Sequence, residues 1–105
     1  MAQQNMCPRF EKAVKVLSQR WIALVIYQML EGPKRFSEIQ SGIGVSGKVL
    51  SERLKSMETE GIVHREVYPE TPVVIEYSLT DKGRSLEPVL RGIENWAEDW
   101  VEVKN

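Results

Sequence analysis

Apolar residues recur along this chain first with a helical period, then with a period of two, then with a helical period again. Pro8 suits the first position of a helix, with Cys7 on the cap side, and Phe10, Ala13, Val14 and Leu17 follow at helical spacing. A second helix is predicted over about Arg20 to Leu30. It is apolar nearly all round, the pattern of a helix buried at the centre of a domain, and Gly32-Pro33 ends it. Arg35-Phe36 reads as a short extended piece, after which Ser37 caps a brief helix, Glu38 to Ser41. A loop from Gly42 to Val45 leads to the clearest amphipathic stretch. Ser46 is the N-cap, and Leu50, Leu54 and Met57 share one face. Lys48, Ser51, Glu52 and Lys55 share the other, and Gly61 supplies the stop.

From Ile62 to Tyr68 apolar and polar residues alternate. Pro69 to Pro72 is a turn, and Val73 to Leu79 is β-branched and aromatic, so a hairpin is predicted. Thr80 caps a last helix reaching about Val101, with a stripe of Leu86, Val89, Leu90, Ile93, Trp96, Ala97, Trp100 and Val101. Pro88 should kink it or split it near Gly83 to Glu87. A short helix, a glycine-containing turn, a capped helix and then a hairpin make a winged helix-turn-helix. The expected fold is therefore mainly α with a small β-hairpin.

At 105 residues the chain is one domain by length, and no internal repeat or linker divides it. The longest apolar run, Trp21 to Tyr27, is far too short to span a membrane. Met1 to Asn5 is polar and lacks the start of a signal peptide. One cysteine precludes an internal disulfide and a cysteine-built zinc site, and a cytoplasmic location is the default expectation. The net charge of −1 gives no global argument for nucleic acid, but its distribution is uneven: residues 66–105 hold nine acidic against four basic side chains. The acid is thus removed in sequence from the capped helix at 46–60, which leaves a basic face available there.

These pieces carry a resemblance. Cys7-Pro8 is followed by Trp21 opening an apolar helix, then Arg35-Phe36-Ser37-Glu38-Ile39, then Ser46 with Leu50 and Arg53-Leu54. Glu60-Gly61-Ile62-Val63 with Arg65, Pro72, Glu76-Tyr77-Ser78-Leu79-Thr80, Gly83, Leu86 and Trp96 complete the series. Over about residues 7–100 the chain resembles the HxlR-type family of bacterial transcription regulators, related to the MarR type. The resemblance implies a winged helix-turn-helix homodimer on a pseudo-palindromic operator of double-stranded DNA. Residues at about 8–18 and 80–101 would be its dimerisation helices. Two positions depart from the family pattern: Gln19-Arg20 stands where Gly-Lys is frequent, and Pro72 is followed by Val73-Val74 rather than by a basic residue. With Glu70 and Thr71 at the tip, the wing is poorly equipped to hold a minor-groove phosphate.

The candidate DNA-contacting residues are Arg35, Ser37, Ser46, Gly47, Lys48, Ser51, Glu52, Lys55 and Arg65. Lys48 and Ser51 lie near the start of the helix expected in the major groove, Lys55 would meet a phosphate, and Glu52 can accept from cytosine N4. The positive helix end at Ser46 and Gly47 favours phosphate. The same face is equally that of a solvated helix when nothing surrounds it. Arg35 either touches phosphate or braces the hairpin through a carboxylate such as Glu76, Arg53 sits among core positions, and Arg65 points to phosphate or to solvent. Phe10, Leu86, Leu90, Ile93, Trp96 and Trp100 are the expected dimer interface, since such a stripe left in water would be a large apolar patch. The other reading folds the stripe back on Trp21 and Leu24 within the monomer, and the two readings can hold for different residues.

Cys7 is the one residue with nucleophilic chemistry to offer. A helix N-terminus with Arg9 and Lys12 nearby favours a reactive thiolate, and the resemblance implies oxidant or electrophile sensing at this position in some members. The other reading is a small apolar group within the dimer interface. His64 has no partners for a metal, and no catalytic triad, phosphate loop or carboxylate pair is present, so neither an enzyme nor a cofactor is expected. A small molecule or an oxidant remains a candidate effector. The alternative from another class is a winged-helix protein-interaction module, favoured by the acidic balance and the non-basic wing tip.

Overall fold

The computed structural model describes residues 6–104. Met1 to Asn5, read above as polar and without a leader, lies outside them. The elements are α1 (Pro8–Leu17), α2 (Ile22–Gln28), β1 (Lys34–Arg35), α3 (Phe36–Ile43), α4 (Gly47–Thr59), β2 (Val63–Tyr68), β3 (Val74–Leu79), α5 (Asp81–Arg84) and α6 (Glu87–Trp100).

Helix α4 has the predicted boundaries for the predicted reasons. Ser46 Oγ accepts the Val49 N–H at 3.2 Å, which satisfies one of the free donors at the helix start. Gly61 closes the helix with φ at +77°, a conformation that costs little only without a Cβ. Leu50, Leu54 and Met57 are buried from its inner face, each contributing about 1.5–3 kcal/mol relative to exposure. They meet Ile22, Val25, Ile26 and Met29 of the α2 region and Ile39 of α3 in one core.

Several elements differ from the sequence reading. Helix α2 begins at Ile22, not Arg20, because Trp21 takes a left-handed φ of +81° as its cap residue. It is not apolar all round in use: Ile22, Val25 and Ile26 are buried, whereas Leu24 and Tyr27 face outward. Ser37 does not cap α3. The helix starts at Phe36 with Arg35 as its cap residue, and the Glu38 carboxylate accepts the Arg35 N–H at 2.7 Å. It also runs on to Ile43 and stops at Gly44, φ +69°. Gly42, read as loop, lies inside it, where a Cβ would collide with the Gln28 side chain of α2.

The hairpin is joined by a third strand. Lys34–Arg35 pairs antiparallel with β3, opposite Tyr77 and Glu76, giving the sheet order β1-β3-β2. The last helix splits as Pro88 required, with α5 capped by Thr80, whose Oγ accepts the Gly83 N–H at 3.1 Å. Pro88 stands in the first turn of α6, where its missing N–H costs nothing. Gly83 is packed so closely on Ile62 that a Cβ would overlap the Ile62 carbonyl oxygen, which ties α5 to the start of the wing.

Candidate nucleic-acid interface

Helix α4 turns Lys48, Ser51, Glu52 and Lys55 to solvent at i, i+3, i+4 and i+7, directly opposite its buried stripe. None of the four enters an ion pair among the described residues, so this face is free to take up another charged surface. Ser46 is exposed at the amino end. Its lone pair is engaged by Val49 N–H, while its O–H proton stays available to an outside acceptor. Gly47 is half-buried against α3, with the Gln40 side chain and the Phe36 ring nearest to it.

Ser37 is exposed on α3, the first helix of the helix-turn-helix, and Arg35 is exposed just before it. Arg35 lies opposite Glu76 in the strand register, yet no ion pair joins them among the described residues. The carboxylate brace, one of the two roles read for Arg35, is not made to Glu76; β1 is held to β3 by backbone pairing. Arg65 is exposed on β2, opposite Tyr77. Arg53 is held elsewhere: its Nε donates to the Arg20 carbonyl oxygen at 2.9 Å, which fixes the α1–α2 turn against α4. The Arg20 guanidinium in turn lies 4.7 Å from the centre of the Trp21 ring.

The wing is acidic as well as short of base. Glu66 and Glu76 are direct cross-strand partners, an unfavourable like-charge pair. His64 Nε2 is 2.8 Å from the Glu66 carboxylate. The Glu76 carboxylate, aided by loss of water and by Glu66 and Glu70, raises the Tyr68 phenol above its usual 10.0. A surface of this sign repels phosphate, whereas the outer face of α4 carries Lys48 and Lys55 free of ion pairs among the described residues.

Cys7 is exposed at the amino end of α1. Phe10 is 61 % exposed, Ile93 55 %, Trp96 60 % and Trp100 74 %, so α1 and α6 carry an apolar surface that this chain alone leaves in water. Leu86 is half-buried against the core. Leu90, expected in the interface, is only 5 % exposed and belongs to the chain's own core, so it has no surface left to offer a partner. An open groove of about 820 Å³ runs between α1 and α5, with Val16, Leu17, Ile62 and Leu86 on its walls and Arg9, Lys12, Lys15 and Lys82 around it. No group of three His, Cys, Asp or Glu side chains is placed to hold a metal ion, and no helix is long and apolar enough to cross a membrane, among the described residues.

One cluster was not foreseen. Tyr27 Oη donates to Glu94 Oε2 at 2.6 Å and accepts from Arg91 Nη1 at 3.1 Å. Arg91 also reaches Glu94 Oε1 at 3.1 Å and Glu87 Oε2 at 3.4 Å, and its guanidinium lies 5.3 Å from the centre of the Tyr27 ring. The Tyr27 hydrogen bond, then Arg91, hold the Glu94 carboxyl below its ordinary 4.5, and the Glu94 contact raises the Tyr27 phenol. The spacing of Glu87, Arg91 and Glu94 on one helix face is visible in the sequence. Tyr27, 67 residues from Glu94, is not.

Comparison with known proteins points the same way. The family model for the HxlR-like helix-turn-helix matches residues 16–105. An uncharacterized HTH-type transcriptional regulator of Bacillus subtilis, YvaP, is 59 % identical over 103 residues, covering 97 % of this chain and 95 % of that protein. The reduced form of the transcriptional regulator YodB from B. subtilis superposes with a TM-score of 0.82 at 44 % identity, over 95 % of this chain and 99 % of that one. The redox regulator HypR in its oxidized form gives a TM-score of 0.84 at 38 % identity, over 92 % and 100 % of the two chains.

Proposed function

The chain belongs to the HxlR-like helix-turn-helix family of transcription regulators, and from that premise we propose that it binds a pseudo-palindromic operator as a homodimer through α4. The single observation that carries this is the two-sided construction of α4. Leu50, Leu54 and Met57 lock one face into the core, while Lys48, Ser51, Glu52 and Lys55 stand free on the other. In this reading α4 lies in the major groove. Lys48 and Ser51 meet bases or phosphates, Glu52 accepts from a cytosine amine, and Lys55 meets a phosphate. Ser46 and Gly47 offer the positive helix end to the backbone, and Ser37, Arg35 and Arg65 flank it. The acidic wing leaves most of the affinity to the helix.

The two-fold partner is a second copy of this chain, joined through the exposed apolar residues of α1 and α6: Phe10, Ile93, Trp96 and Trp100. Residues at about 8–18 and 80–101 thus act as dimerisation segments, and the protein works in the cytoplasm, where DNA is. No catalytic step or cofactor is assigned to it.

Cys7 is the proposed sensor of a thiol oxidant or electrophile. Its exposure at the start of a dimerisation helix supports this, as does similarity to a redox regulator. A bond formed there changes the seat of α1 and, through it, the separation of the two α4 helices. With one cysteine per chain, the product is an intersubunit disulfide, a mixed disulfide or an alkylated thiol.

Selection of bound sequences from a random duplex pool, with and without a thiol oxidant, tests the reading. It predicts enrichment of an inverted repeat that is lost on oxidation. Failure to enrich any sequence would contradict it.

A further inference from the structure

Helix α6 is the longest helix among the described residues, yet little of it is anchored. Leu90 is its only buried residue, Leu86 at its cap is half-buried, and no apolar side chain beyond Leu90 packs on the core. Both apolar anchors, Leu86 and Leu90, lie within one turn of each other at the amino end of α6, so they fix the direction of the rest of the helix weakly. The next contact is polar: Glu94, one turn on from Leu90, accepts the Tyr27 hydroxyl at 2.6 Å. Arg91 closes the cluster from the same face, donating to both Tyr27 and Glu94. The Glu94 contact adds an attachment a full turn beyond the apolar anchors, and a longer base along a rod defines its direction better.

We infer that Tyr27 is a positioning residue that sets the direction of α6 relative to the helix-turn-helix, and with it the half-site spacing the dimer accepts. This rests on the proposed function above. Tyr27 is suited to the task because it belongs to α2, whose neighbouring Val25 and Ile26 are fully buried in the core that carries α4. Its hydroxyl is used twice, as donor to Glu94 and as acceptor from Arg91, and its ring lies against the Arg91 guanidinium, so three contacts from α6 hold it. The leverage is long. Trp100 lies ten residues beyond Leu90, roughly 15 Å along the helix, so a tilt of about 10° moves that end by about 3 Å. In a two-fold dimer joined through that end, the tilts of both chains add at the DNA.

The test separates geometry from DNA binding. Spin labels at Glu58→Cys on α4 and Asp99→Cys on α6, in a Cys7→Ser background diluted with unlabelled chain, report the distance between the two helices. With Tyr27 intact a single narrow distribution is expected. Tyr27→Phe and Glu94→Ala should at least double its width, while Glu94→Gln, which keeps an acceptor oxygen, should restore most of the narrowness. Unchanged widths in Tyr27→Phe and Glu94→Ala would overturn the inference. On operators with one base pair added between half-sites, the unlabelled wild type should lose about tenfold in affinity and Tyr27→Phe less than about threefold. Equal losses would also overturn it. Absence of operator binding by the wild type would count against the proposed function instead, and the label widths would still decide the part played by Tyr27.

Discussion

Arg53 Nε donates to the Arg20 carbonyl oxygen at 2.9 Å, so one of the cations of α4 faces the body of the protein and not its outer surface. The bond joins the α1–α2 turn to α4, next to the left-handed Trp21. Arg53→Ala should therefore lower stability by about 1 kcal/mol. In a domain of this size that is a fall in Tm of roughly 4–8 °C. The salt dependence of DNA binding should not change. A thermal melt and a binding series check both halves. An unchanged Tm with a reduced salt slope would place Arg53 on the DNA.

The exposed thiol gives a second expectation. Diamide or a quinone should release the wild type from its operator and leave Cys7→Ser bound, as read by fluorescence anisotropy. Equal sensitivity of the two proteins would end the sensing role.

Trp96 tests the dimer. It is 60 % exposed in the single chain, so Trp96→Asp should leave the fold intact and place a charge in the apolar contact between copies. Sedimentation should then show monomers with the circular dichroism of the wild type. A persistent dimer would mean that the copies meet elsewhere.

The Tyr27–Glu94–Arg91 cluster predicts a pH window. Glu94 is held below 4.5 by Tyr27 and then Arg91, so its contribution is present above the unfolded value and is lost as pH falls through the lower folded value. The Tyr27 phenol is raised, so its contribution is present below 10.0 and is lost as pH rises through the higher folded value. The width of the α4–α6 distance distribution should stay narrow between those limits and broaden outside them. Tyr27→Phe should remove this dependence. A width insensitive to pH in the wild type would contradict the assignment.

The local chemistry of the chain was readable, and its long-range contacts were not. Ser46, Gly61, Thr80 and Pro88 act within a few residues of themselves, and each sits at the helix end or break expected of it. Strand β1 is two residues long, too short to carry a period, and exists because β3 lies beside it. Ser37 looked like a cap because serine often is one, but Glu38 bonding back to Arg35 starts the helix earlier. Leu90 shares a helical stripe with Ile93 and Trp96, and spacing alone cannot divide a stripe between a chain's own core and a partner. The outward face of α4 was legible for a simpler reason: its buried face is unambiguous, and the remaining residues have only one direction left.

The most direct test of the account is the salt dependence of operator affinity for the wild type, Lys48→Ala and Lys55→Ala. If both lysines neutralise phosphates, each substitution should reduce the magnitude of the slope of log K against log salt by about 1, and weaken binding most at low salt. If both variants keep the wild-type slope and affinity, α4 does not face DNA and the central claim fails.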